Sequence, residues 1–174
     1  MSLQIFILGV LCSGNHHPYD LKKMFNQSNF DESSRISDGT LYYNFEVLFK
    51  KGFIEKIDVI HDEHRPSKTT YGITPKGKLE LEQQIYASFK NFTSIKSVYS
   101  STIFLKHADK QKLIYLIEDV LHNLREKIDK YDQLWDSIQN ETPESVQMIQ
   151  EYFHQQMHID YQWLEKLLEY VKKM

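Results

Sequence analysis

Between Ser37 and Gly52 apolar and polar positions alternate with a helical period. Leu41, Phe45 and Leu48 fall at i, i+4 and i+7, which at about 100° per residue makes one stripe for a core to cover. The opposite face carries Gly39, Tyr43, Glu46, Val47 and Lys50, with Thr40 on its flank. Ser37 or Asp38 can cap the first turn, and Lys50-Lys51 followed by Gly52 is a stop signal: cations in the last turn, then a residue at ease with φ > 0. A short capped helix with a polar outer face suits the surface of almost any protein. It also suits the reading helix of a helix-turn-helix, whose N-terminal side chains meet base edges in the major groove.

The flanking pattern separates these options. Leu3, Ile7, Val10 and Leu11 give a first helix an apolar face, ended by Gly14-Asn15. Pro18 can open a second short helix, Tyr19 to Phe25, with Leu21, Met24 and Phe25 inward and Lys22-Lys23 outward. Gln27 to Ile36 reads as a polar connector. After Gly52 come two β-like pieces, residues 53–60 and 69–74, around the polar, turn-rich segment 61–68. Three helices and a hairpin in this order, in under 80 residues, make a winged helix-turn-helix, with Arg65 and Lys68 as cations of the wing.

Pro75 to about Thr93 follows as a helix with Leu79, Leu81, Ile85 and Phe89 apolar, and residues 94–107 continue it or form a separate short helix. Asp109 can cap a long helix in which Leu113, Leu116, Ile117, Val120, Leu121, Leu124, Ile128, Tyr131, Trp135 and Ile138 recur every three or four positions. Thr142-Pro143-Glu144 opens the last helix as a cap, a first-turn proline and an acid; its stripe runs from Val146 through Ile149, Phe153 and Met157 to Val171. Two long helices on a short loop form an antiparallel hairpin, and these stripes carry more apolar surface than two helices bury on each other. A partner is implied.

Composition narrows the function. With 41% hydrophobic and 26% charged residues, the 174-residue chain is globular rather than disordered. Leu3 to Cys12 is too short to span a bilayer and lacks the flanks of a leader, so a cytoplasmic protein without a membrane partner is expected. Cys12, the only cysteine, reads as a small buried hydrophobe. The net charge of −3 argues mildly against nucleic acid, but it is unevenly spread: residues 1–79 hold ten Lys+Arg and nine Asp+Glu, residues 80–174 eleven and fifteen. DNA binding requires a local basic surface, not a basic total, and here predicts modest affinity per monomer.

Residues 3–79 resemble the winged-helix domain of the PadR-like family of bacterial transcriptional regulators. The resemblance rests on the apolar first helix ending at Gly14, Pro18-Tyr19-Asp20-Leu21-Lys22-Lys23, Gly39-Thr40-Leu41-Tyr42, Leu48 with Lys51-Gly52-Phe53-Ile54, and Tyr71-Gly72-Ile73-Thr74-Pro75-Lys76-Gly77. Three positions depart from the family pattern. Tyr43 stands where proline is common, Lys68-Thr69-Thr70-Tyr71 replaces Arg-Lys with aromatics, and His17-Pro18 replaces His-Gly. The resemblance implies that Thr40, Tyr43, Asn44 and Val47 approach the major groove, and that Tyr19, Lys22, Tyr42 and Lys50 lie near phosphates, with Lys23 and Ser37 in the same surface. It also implies dimerisation through the C-terminal helices, and in some members a small aromatic or lipophilic cationic effector. Phe104, Tyr115, Trp135, Phe153 and Trp163 are the candidate effector residues, although aromatics at helical spacing usually belong to a core.

Other chemistry has little support. His154 and His158 stand at i, i+4, but the sequence offers no glutamate of a zinc hydrolase motif, so a solvated or interfacial pair is expected and no metal or other cofactor. There is no nucleophile elbow or phosphate-binding glycine loop, and six glycines leave little room for backbone cradles; an enzyme is not expected. The sequence thus reads as a mainly α protein with a small β-hairpin wing: a winged helix-turn-helix DNA-binding domain over 1–79 and an antiparallel helical dimerisation and effector region over 80–174. The expected function is a homodimeric repressor on a palindromic double-stranded DNA operator, released by an effector. The alternative, supported by the net charge and Glu46, is a protein-interaction module that uses the winged fold without reading DNA.

Overall fold

Seven α-helices and two strands appear in the computed structural model, which describes residues 2–27, 36–62, 65–138 and 142–174, and only the backbone at 59–62, 65–68 and 136–138. They are α1 (Leu3–Leu11), α2 (Pro18–Gln27), α3 (Asp38–Lys50), β1 (Ile54–Asp62), β2 (Arg65–Ile73), α4 (Pro75–Lys90), α5 (Ile95–Ile103), α6 (Lys110–Ile138) and α7 (Glu144–Lys173). Most of the expected connector before α3 lies outside the described residues. The chain divides into two units, Met1–Ile85 with Tyr99–His107, and Tyr86–Val98 with Ala108–Met174.

In the first unit, α3 begins and ends where its sequence signals stand. The Ser37 hydroxyl accepts from the Thr40 N–H at 3.1 Å, and Gly52 takes φ 71° beyond the last turn. Leu41, Phe45 and Leu48 are buried, as their spacing predicts. The α1 stripe does not hold: Ile5, Phe6, Ile7, Leu8, Gly9 and Leu11 are all buried, whereas Leu3 and Val10 are only half-buried. A helix apolar all round is enclosed on several sides, and periodicity cannot pick a face for it. Phe6 meets Phe25 of α2 edge-on at 5.0 Å and Phe104 at 6.1 Å, and a Cβ on Gly9 would overlap the Phe104 ring. Met24, expected inward, and Leu79, one of the apolar positions of α4, are exposed, whereas Phe25 and Leu81 are buried. Cys12, expected to be buried, is half-buried at the C-terminal end of α1, where desolvation raises its thiol pKa.

The hairpin is longer than the sequence suggests, because main-chain pairing does not require the apolar alternation that marks a buried strand. Its antiparallel register runs from Ile54↔Ile73 to Asp62↔Arg65, with irregularities between Lys56 and Asp58 and between Ile60 and Asp62. His16 adds a bridge on the free edge of β2: its N–H donates to the Tyr71 carbonyl at 3.0 Å, and the Tyr71 N–H returns to His16 at 2.9 Å. At the root of the wing the Thr74 hydroxyl donates to the Gly52 carbonyl at 2.7 Å and accepts from the Gly77 N–H at 3.0 Å. A side chain on Gly77 would collide with the Phe53 carbonyl oxygen.

In the second unit α6 and α7 run antiparallel. Glu118, early in α6, pairs with Lys172, late in α7, at 3.4 Å; Asp132 pairs with His154 at 2.7 Å. Asp109 caps α6, accepting from the Lys112 N–H at 2.9 Å. The α7 start differs from the reading of Thr142-Pro143. Pro143 occupies the cap position, with ψ 142°, and supplies no side-chain bond, so the helix opens at Glu144. An extended proline immediately before the first turn satisfies the same local signal one residue later. Leu113, Leu116, Ile117, Val120, Leu121, Leu124 and Ile128 on α6 and Leu164, Leu167, Leu168 and Val171 on α7 are buried, whereas Val146, Met148, Ile149, Tyr152, Phe153 and Ile159 are exposed.

Candidate nucleic-acid interface

With Leu41, Phe45 and Leu48 inward, α3 presents Gly39, Thr40, Tyr42, Tyr43, Glu46, Phe49 and Lys50 to solvent, and Asn44 and Val47 lie half-buried at its margins. Tyr43, 65% exposed, is the most accessible aromatic of this face. Behind it the aromatic ring of Tyr71 on β2 packs on Phe45 at 5.1 Å and on Phe49 at 6.3 Å, while Lys56 of β1 stands 5.2 Å over Phe49. Burial raises the Tyr71 hydroxyl pKa, so Tyr71 stays neutral as a spacer between helix and wing.

The charges on this face are paired. Lys50 Nζ lies 2.6 Å from Glu46 Oε1; their hydrogen bond lowers the Glu46 pKa and raises that of Lys50. Both side chains are exposed, so water screens the pair and leaves it exchangeable. Lys22 of α2 donates to Asp38 Oδ1 at 2.7 Å, tying the second helix to the first turn of the third. Tyr19 and Lys23 stay exposed on α2. Ser37 does double duty in the cap, its hydroxyl also lying 2.9 Å from Thr40 Oγ1. Asn44 turns inward along α3: its Nδ2 donates to the Thr40 carbonyl at 2.8 Å, and its Oδ1 accepts from Gln4 Nε2 at 3.2 Å.

Residues 7–83 match the model of the transcriptional regulator PadR-like family. This segment is PadR-like. The match takes in α2, α3, the whole wing and the first half of α4. Similar solved structures include a transcriptional regulator from Clostridium thermocellum, 29% identical over 47% of this chain and 77% of that one, with a TM-score of 0.42. PadR from Bacillus subtilis in complex with operator DNA is 19% identical over 97% and 98%, TM-score 0.43. The protein smu.1604c from Streptococcus mutans UA159 is 25% identical over 97% and 99%, TM-score 0.42. No curated protein matches the chain.

Within the PadR-like segment the structure brings Ser37, Thr40, Tyr42, Tyr43 and Lys50 onto one exposed face, with Lys22 joined to its first turn. The side chains of Arg65 and Lys68 lie outside the described residues; their backbones pair with Asp62 and Ile60. Sequence reasoning missed Gln4, His16 and Lys56, and saw Asp38 only as a possible cap, not as the partner of Lys22. Each acts through a partner at least 7 residues away, and no local spacing announces such contacts.

The aromatics proposed for an effector are dispersed. Phe104 belongs to the first unit, buried against Phe6 and Gly9. On α6, Tyr115 and Trp135 are about 30 Å apart at 1.5 Å per residue, too far to line one small-molecule pocket within a chain. Trp135 stacks on Tyr131, which stacks in turn on His154 at 5.0 Å. Phe153 is exposed and Trp163 half-buried. His154 and His158 approach through their Nε2 atoms at 3.1 Å, with Asp132 on His154. Among the described residues no group of three or more His, Cys, Asp or Glu side chains is arranged to hold a metal ion, and no helix is long and apolar enough to cross a membrane.

Proposed function

We propose that the protein is a DNA-binding transcriptional regulator whose α3 enters the major groove and whose hairpin flanks it, acting as a homodimer through α7. The observation that carries this is the division of α3. One stripe is locked into the core, and the other is bare and lies beside a two-stranded wing within the PadR-like segment. Thr40, Tyr43 and Val47 are the candidate base readers; Tyr19, Lys22, Lys23, Tyr42 and Lys50 are candidates for phosphate contact. The ion pairs of Lys22 and Lys50 support the reading: a phosphate can take over the Lys50 ammonium at small cost because both members of that pair are exposed, whereas Lys22 is largely covered and only its partner Asp38 is exposed. They also answer the objection raised by Glu46, whose charge Lys50 already offsets. In a twofold dimer the two reading helices would meet half-sites about 34–36 Å apart, hence a palindromic operator; occupying it would repress by occluding the promoter.

The test is binding of the full chain to its own upstream DNA and to random duplex across a salt series. A log–log salt dependence is expected, with clear preference for the upstream DNA. Thr40→Ala with Tyr43→Ala should lose the preference and keep the slope. Lys22→Ala with Lys50→Ala should weaken both duplexes and flatten the slope by up to about two. Absence of salt-dependent DNA binding would leave the protein-interaction reading in its place.

A further inference from the structure

The amide of Asn44 is the one polar group on the margin of α3 that could read adenine by two hydrogen bonds, accepting from N6 and donating to N7. Both amide atoms are already engaged. Because the Thr40 carbonyl can only accept, the atom 2.8 Å from it must be Nδ2, which turns Oδ1 toward Gln4. That oxygen needs a donor, so the Gln4 atom at 3.2 Å is its Nε2. The network therefore has one consistent assignment. Asn44 is half-buried in it, held from α1 by a residue forty positions earlier in the chain. Gln4 also precedes the stretch that matches the family model.

We propose that Gln4 withholds Asn44 from the DNA, which makes Gln4 a specificity-determining residue that touches no base. Base reading then falls to Thr40, Tyr43 and Val47, and an A·T preference encoded by Asn44 stays silent. Removing the Gln4 amide frees Oδ1 and lets the side chain leave Thr40, offering adenine its full donor–acceptor edge. The proposal rests on the DNA-reading function above.

The test uses the full chain and the duplex that it prefers, selected from random sequence, then varied one base pair at a time. Asn44→Ala is expected to reproduce the wild-type preference profile within about twofold. Gln4→Ala should introduce a new preference for A·T at one position, of roughly five- to a hundred-fold, the range of a bidentate amide–adenine pair. Adding Asn44→Ala to Gln4→Ala should erase that preference, a reversal that a purely structural role for Gln4 would not give. Alanine is a good helix former, so neither variant weakens α1 or α3 by propensity. Loss of an A·T preference in Asn44→Ala alone, or an unchanged profile in Gln4→Ala, overturns the proposal while leaving DNA binding intact. A wild-type chain that binds no duplex overturns both readings.

Discussion

The α1–α3–wing unit and the α6–α7 hairpin use apolar periodicity to different ends. Around α3 every apolar position of the stripe finds cover within the chain: Leu41, Phe45 and Leu48 are buried, and Tyr71 closes over Phe45 and Phe49. Along α7 the stripe is equally regular but only its last third is covered. Leu164, Leu167, Leu168 and Val171 are buried; Val146, Met148, Ile149, Tyr152, Phe153 and Ile159 face solvent over the first half of a helix about 45 Å long. A hydrophobic pattern states that a face wants cover, not whether the same chain supplies it. Where it does, the pattern specifies a fold; where it does not, the pattern leaves a face open to a partner.

The comparison can be broken from either side. Phe45→Ala should cost about 3–5 kcal/mol in urea unfolding, the range for deleting a fully buried aromatic; a loss below about 1 kcal/mol would show that the first core is not closed. Ile149→Ser with Phe153→Ser should leave helical content unchanged and weaken self-association by tenfold or more in sedimentation. An unaltered association constant would take the bare face out of the interface. The smallest effect concerns Asp160, which is buried on α7 with Gln156 Nε2 donating to it at 3.0 Å. Burial raises its pKa, so the native state holds this proton to higher pH than the unfolded chain. The sign follows: stability falls as pH rises from the unfolded value, about 3.9, through the raised native one, and the penalty is complete above it. Asp160→Asn should therefore be more stable than wild type at neutral pH, and the gap should close on acidification. A gap that is constant with pH would locate the effect elsewhere.

Local signals were legible and distant ones were not. Ser37, Lys50 and Gly52 bound α3 in the sequence as they do in space, and Pro18 opens α2, because caps and stops act within a turn. The outer face of α3 was legible as the complement of its buried stripe. The cover of α1 was not, since a helix apolar on every side gives no phase. Thr142-Pro143 misled by one residue, as helix ends often do. The hydrogen bonds that orient the candidate site come from Gln4, sixteen-residue-distant Lys22 and His16, and their geometry exists only after folding.

The joint between α3 and the wing has a mechanical consequence. The Thr74 hydroxyl bonds the Gly52 carbonyl, Lys76 Nζ reaches the Lys51 carbonyl at 2.9 Å, and Gly77 leaves no slack over Phe53. The end of α3 and the root of the second strand are thus cross-braced by side-chain bonds to backbone carbonyls rather than hung on a flexible link. Helix and hairpin should move as one stiff bracket, so a signal that repositions one carries the other with it at a fixed angle.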